Sequence, residues 1–340
     1  MRYLVGLATS VLLVSLFVRT IDLGAVAGAL GTADVRLVPL AVVPFFMGVW
    51  VRSIRWRLLL PERRLSTRDL FRVQVVGFAI NNVVPARAGD LARAYLLARW
   101  CNVSYGTTAA SLIVERIVDG LTLACILLAV LAFVPAPGYL LVLAGVSAST
   151  FVVLTVLAAL AVWRESTVIW LVSPAASCLP PAGRPVLLRL ANSFAHGLLP
   201  LRAWRRIPAV LGLSVLAWVC QFGLFFILMF AFPLPASLAL TFLGGSVANF
   251  ATLIPSSPGS VGTFEGALVK VLVDVAGANP GTAAAYALIV HATLFIPVIV
   301  LGVAIVWRAN ISVHSLLKLP MRGNNTSSQN STPALSVDLA

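Results

Sequence analysis

Long apolar runs alternate with short clusters of arginine along the chain, and within each run the apolar residues are continuous rather than every second one. A helix crossing the hydrocarbon core of a bilayer needs about 20 such residues. Backbone groups in lipid must find partners inside their own segment or in a closed barrel, and unbroken runs favour helices. The pattern predicts full spans near 4–19, 37–51, 108–134, 139–163, 208–232 and 282–307. Two more apolar stretches, 70–100 and 237–275, are broken near their middles by polar residues, proline and glycine. Between 164 and 206, Leu187, Leu190, Ala191, Phe194 and Leu198 recur at helical spacing and predict an amphipathic interfacial helix. Ser66 and Asp69 have capping-box spacing ahead of the stretch that starts at Leu70. Residues 1–310 read as one transmembrane domain, and 311–340, polar and rich in Asn, Ser and Thr, as a disordered cytoplasmic tail.

Composition turns this pattern into a fold class. Of 340 residues, 60% are hydrophobic and 10% charged, against about a quarter charged in a soluble domain. The net charge of +13 raises the question of nucleic acid. Its placement argues otherwise, because the basic residues gather in a few loops beside spans, where they mark the cytoplasmic side and attract anionic lipid. Arginines crowd 52–72, 164–206 and 308–322, whereas 135–138, 233–236 and 276–281 carry none. The two sets face opposite sides only if 70–100 and 237–275 each enter and return. The expectation is therefore an all-α integral membrane protein with about six full spans and two re-entrant broken-helix hairpins entering from opposite faces. Both termini would be cytoplasmic, in a cell inner membrane; ordinary spans at the two broken stretches are the rival arrangement. Arg2, the run to Val18 and Ala25-Val26-Ala27 resemble a signal peptide, but Arg19, Thr20 and Asp22 separate the run from a cleavage site.

Candidate chemistry lies in the breaks. The first reads Asn81-Asn82-Val83-Val84-Pro85-Ala86-Arg87-Ala88-Gly89-Asp90, with Arg93 following, and the second runs from Asn249 through Pro255 and Pro258 to Gly259 and Gly262. Each has asparagine, then proline, then glycine four residues past that proline, as in an inverted repeat that holds substrate between two broken helices. Pro85 and Pro255 free carbonyls, while Gly89, Gly259 and Gly262 admit tight turns, so these residues and Pro258 are the expected hinges. Helix limbs starting beyond the turns would aim positive ends at the cavity, a seat for phosphate. A third group, Glu115, Arg116 and Asp119, lies inside the span from 108, where each charge costs about 2.5–3.5 kcal/mol. Arg116 can pair with Asp119 at i, i+3, and a purely structural ion pair is the alternative role. Glu265 stands one or two turns into the second limb, Lys270 and Asp274 nearer its rim, and His291 reads as a packed histidine. No nucleotide loop, hydrolase elbow or zinc-protease motif occurs. The four cysteines (Cys101, Cys125, Cys178, Cys220) are scattered, so neither catalytic residues nor a metal or cofactor are expected.

The motifs Asn82-x-x-Pro85-x-Arg87-x-Gly89-Asp90-x-x-Arg93, Glu115-Arg116-x-x-Asp119 and Pro255-x-x-Pro258-Gly259-x-x-Gly262-x-x-Glu265 resemble the lysylphosphatidylglycerol synthase transmembrane-region family, also called flippase-like membrane proteins. The resemblance extends over roughly residues 3–310. It implies a lipid-handling membrane domain, which in bifunctional members moves an aminoacylated lipid made by a separate C-terminal cytosolic domain. About thirty residues follow Trp307 here, below the size of such a domain, so synthase activity is not expected.

Taken together, the reading is a flippase or lipid transporter for a phosphate-bearing polar lipid. Arg87, Arg93 and Arg116, with Asn81 and Asn82, would meet the headgroup. Asp90, Glu115, Asp119 and Glu265 would balance them, bind a cationic headgroup or carry a coupling proton. The expected partners are anionic or phosphate-bearing membrane lipids and a separate lipid-modifying enzyme, not nucleic acid. The alternatives are a membrane-embedded aminoacyl or glycosyl transferase acting on a lipid, and a non-transporting envelope scaffold.

Overall fold

The computed structural model describes residues 23–61, 65–84, 88–163, 203–253 and 258–309, with a few isolated positions between 185 and 197. Those residues form ten α-helices and no strand. In chain order they are α1 (Leu23–Thr32), α2 (Leu37–Leu59), α3 (Thr67–Val83), α4 (Ala88–Cys101), α5 (Tyr105–Leu131) and α6 (Gly138–Trp163), followed by α7 (Ile207–Met229), α8 (Leu238–Ala251), α9 (Thr263–Ala276) and α10 (Pro280–Arg308). Single 3-10 turns occur at Trp204–Arg206 and Pro258–Ser260. The predicted span at 4–19, the amphipathic segment at 187–198 and the tail from 311 fall wholly or mostly outside the described residues.

Among the described residues, four helices are long and apolar enough to cross a membrane: α2, α6, α10 and the continuous helix Trp204–Met229 that contains α7. At 27 residues α5 is about 40 Å long, but Glu115, Arg116 and Asp119 interrupt its apolar character. The outer face of α6 exposes Leu141, Val142, Val146, Val153 and Leu157, and that of α10 exposes Ile296, Val300 and Val303. Contiguous apolar exposure on this scale is incompatible with water and suits lipid.

Side-chain caps explain several helix starts. Ser66, Ser104 and Ser237 each accept a backbone N–H of the following turn, and Asn279 accepts two at the start of α10. The capping box predicted at Ser66 is only half formed, because Asp69 pairs with Arg72 at 3.5 Å instead. A larger correction concerns α2. The expected span ended near 51, but the helix continues to Leu59 and carries Arg52 and Arg55 inward, where both are buried. A single carboxylate on a neighbouring helix, Asp119, pairs with both arginines and offsets part of the cost of removing them from water, so they do not belong to a loop.

The connections segregate to two ends of the bundle. At one end the Asp34 N–H donates to the Ala231 carbonyl (3.1 Å), and the Tyr139 hydroxyl donates to Asp274 (2.8 Å). Gly281 there packs against Ala25. At the other end Arg206 reaches the Leu58 carbonyl (3.4 Å), Arg57 reaches Thr67 (3.2 Å), and Leu59, Leu65, Leu97, Val103 and Val210 share one apolar cluster. Helix α3 starts and α4 finishes near this second, arginine-rich end, while α8 starts and α9 finishes near the first. Three of these four helices have 14 residues, about 21 Å, short of the roughly 30 Å of a hydrocarbon core. The two breaks meet inside the bundle: a Cβ added to Gly259 would lie 3.3 Å from the Asn82 carbonyl oxygen.

Candidate functional site

Where the two breaks meet, the helices line a half-open cavity of about 620 Å³. Its polar wall carries Arg52 from α2, Asn81 and Asn82 from α3, Arg116 and Asp119 from α5, Gln221 from α7 and Asn249 from α8. Phe45, Phe78, Phe151, Trp218, Phe264 and Phe295 supply an aromatic wall. A site of this volume, with aromatic rings and a few convergent polar groups, suits a headgroup-sized ligand with an apolar extension.

A buried charge network backs the polar wall. Arg93 forms a two-pronged pair with Glu115 (3.0 and 2.9 Å) and its guanidinium lies 4.2 Å from the centre of the Trp56 ring. Arg116 reaches across from α5 to Asp90 at the start of α4 (2.9 and 3.2 Å), so the expected pairing with Asp119 along its own helix is not the one made. Asp119 instead accepts from Arg55 (2.5 Å) and Arg52 (3.4 Å). Interhelical pairs satisfy these groups better than an i, i+3 pair, because α2 and α4 bring arginines and a carboxylate that would otherwise be buried alone. Arg52 also donates to the side-chain amide oxygen of Gln221 (2.7 Å). Gln221 donates to Asn249 (3.2 Å), and Asn249 to the Gly245 carbonyl (2.7 Å). This relay ties the arginine to the second break.

The hinges differ from one another in conformation. Gly259 and Gly262 have φ of +72° and +88°, the left-handed region open to glycine. Gly89 is helical and serves close approach instead, since a Cβ there would overlap the Gly77 carbonyl oxygen of α3. Pro258 opens the 3-10 turn; Pro85, Arg87 and Pro255 lie outside the described residues. The limb N-termini are not simply open to a ligand. The Gly89 N–H donates to Asn81 (2.7 Å), and the Gly262 N–H to Glu265 (2.7 Å). The second Glu265 oxygen meets Nδ1 of His291, whose Nε2 lies 3.1 Å from the Gly259 carbonyl oxygen. His291 thus bridges both ends of the tight turn.

Of the residues singled out from sequence, Asn81, Asn82, Arg116, Asp119 and Gly259 line the cavity. Asp90, Arg93 and Glu115 stand behind them, and Glu265 sits at the second turn. Arg52, Arg55, Gln221, Trp218 and His291 were not among the site residues expected from sequence. Arg52 and Arg55 read as loop residues, although their i, i+3 spacing beside Trp56 continues the helix. Gln221, the one amide in the run 208–232, was the other available signal. Among the described residues no cluster of His, Cys, Asp or Glu could hold a metal ion.

Comparison with known proteins bears on identity. The family model for the lysylphosphatidylglycerol synthase TM region matches residues 3–302. Glycosyltransferase AglD of Haloferax volcanii is 28% identical over 339 residues, covering 91% of this chain and 54% of that protein. The chain thus spans about half the length of that relative. A UPF0104 membrane protein of Methanothermobacter thermautotrophicus is 26% identical over 300 residues, covering 83% of this chain and 88% of that protein. No solved structure matches the chain significantly. The family match runs through every motif of the broken helices, and the chain is a multi-pass integral membrane protein belonging to the lysylphosphatidylglycerol synthase transmembrane-region family.

Proposed function

We propose that the protein is a lipid transporter of a cytoplasmic membrane, moving a phosphate-bearing polar lipid across the bilayer. The observation that carries this reading is the cavity between the two breaks, with arginine and amide groups on one wall and aromatic rings on the other. A headgroup crossing a bilayer needs a polar path while its tails stay in lipid, and two broken helices meeting midway supply one. In this reading α3–α4 and α8–α9 are re-entrant hairpins from opposite faces, joined by six full spans that include 4–19. The arginine-rich end, with both termini, faces the cytoplasm. Arg52, Arg116, Asn81 and Asn82 meet the headgroup, Arg93 positions Glu115 and the first break, and Glu265 with His291 sets the second. Arg87 is assigned to the headgroup from its place in the motif.

The test is transport in reconstituted vesicles, with exposure of fluorescent phospholipid headgroups on the outer leaflet as the readout. Purified protein should speed exposure, and Arg116→Gln should remove most of the effect without lowering the yield of folded protein. Full transport by that variant would overturn the headgroup role of Arg116.

A transferase acting on a lipid is the second reading, favoured by the name of the Haloferax relative. It requires transfer of a glycosyl or aminoacyl group to a lipid by this chain alone. A radiolabelled donor incorporated into lipid by the purified protein, without change in lipid sidedness, would establish that reading over transport.

A further inference from the structure

Whether the headgroup is anionic throughout or carries an ammonium group, as an aminoacylated lipid does, is decided by which carboxylates are free to receive a cation. The cavity wall holds two arginines, Arg52 and Arg116, against a single carboxylate, Asp119. Both Asp119 oxygens are occupied, Oδ1 by Arg55 and Oδ2 by Arg52. Glu115 is 1% exposed and has both oxygens on Arg93. Asp90 is engaged by Arg116 and, at 3.8 Å, by Arg93. The network as described thus contains four arginines (Arg52, Arg55, Arg93, Arg116) and three carboxylates (Asp90, Glu115, Asp119), an excess of one positive charge. The donors are also held ready. Arg52 is fixed by Gln221 at 2.7 Å and lies 4.7 Å from the centre of the Trp218 ring. Arg116 reaches Asp90 through Nη2, and its side chain is 39% exposed, which leaves donors for a ligand.

We propose that the cavity selects an anionic phosphate headgroup without a cationic substituent, held between Arg52 and Arg116, and that it selects against aminoacylated headgroups. An ammonium group entering this wall would meet two like charges and no free carboxylate, whereas a phosphate would complete the excess charge with charge-assisted hydrogen bonds. The inference rests on the lipid reading above and narrows its substrate class.

The experiment separates the two levels. Thermal unfolding of the full chain in detergent is measured with added phosphatidylglycerol, lysylphosphatidylglycerol or glycerol phosphate, alongside vesicle transport of both lipids. Phosphatidylglycerol should stabilise the protein at concentrations at least about tenfold lower than lysylphosphatidylglycerol, about 1.4 kcal/mol of preference. Arg116→Gln, which removes the charge without adding a carboxylate beside Asp90, should shrink that preference, with the yield of folded protein measured alongside. Equal or tighter binding of the lysyl lipid overturns the inference, even where transport is observed. Equal stabilisation by glycerol phosphate assigns the site to a soluble anion and also overturns it. Selective binding of phosphatidylglycerol without movement of any lipid sustains the inference and removes the transporter reading instead.

Discussion

Arg93 and Arg116 occupy neighbouring positions in one network but are bound in opposite ways, and their variants should separate accordingly. Arg93 is wholly buried against Trp56 and Glu115. Truncating it strands a buried carboxylate, so Arg93→Ala should cost about 3–5 kcal/mol, read as a fall in the unfolding midpoint in detergent. Replacing both partners, Arg93→Leu with Glu115→Leu, should recover much of that loss, because the penalty lies in the unpaired charge rather than in the missing bond. An unchanged midpoint in Arg93→Ala would mean that Arg93 is free to bind a headgroup, as its place in the motif implies. The Arg116–Asp90 pair is partly exposed, 39% and 24% at its side chains. Arg116→Gln should therefore change stability by no more than about 1 kcal/mol while reducing transport. Sequence made these two arginines equivalent, since both are charges in apolar surroundings. Only the helix facing each one distinguishes a support from a ligand group.

At the scale of the helices, the two breaks are closed by different devices. In the first, α3 and α4 approach through Gly77 and Gly89, so Gly89→Ala should separate the limbs and displace Asn81 from the Gly89 N–H. Gly145→Ala, inside α6, is the matched control, because a Cβ there meets nothing within 4 Å and alanine stabilises a helix interior by about 0.5–1 kcal/mol over glycine. A lower unfolding midpoint for the first variant and an equal or higher one for the second is the expected result. The second break depends on two left-handed glycines and on His291, which joins Glu265 to the Gly259 carbonyl. His291→Ala should loosen this turn and raise hydrogen–deuterium exchange over 258–266, with little change in α6. Unaltered exchange there would show that His291 only fills space, as its sequence context suggested. Proline and glycine made both interruptions legible, but not their closures, because partners 26 and 32 residues away in sequence hold the second one.

For the whole molecule, the question is which end faces which compartment. Among the described residues, the connections at 33–36, 132–137, 230–236 and 277–279 lie at one end, and residues 60–61, 65–66, 101–104 and 203–206 at the other. If the arginine-rich end is cytoplasmic, a cysteine placed at Ala136 in a variant lacking the native cysteines should react with an impermeant maleimide in intact cells. One placed at Trp204 should react only after lysis. The reverse pattern would invert the topology while leaving the fold intact.

The sequence by itself determined the solvent, the helical class, the main apolar spans within the described residues and the location of the polar breaks. Each follows from local physics: apolar length sets span length, and an unsatisfied backbone in lipid enforces helices. Family membership was legible too, because its motifs are contiguous in sequence. Tertiary structure alone decided the partners of the charges. Arg52 and Arg55 sit at the end of a predicted span and resemble any membrane-flanking arginine, yet the continuation of α2 carries them inward against Asp119 on α5. Gln221 and Asn249 became parts of one relay because α7 packs against α8. Burying a charge is feasible only where the bundle supplies an opposite one, and that pairing is a property of packed helices rather than of any one segment.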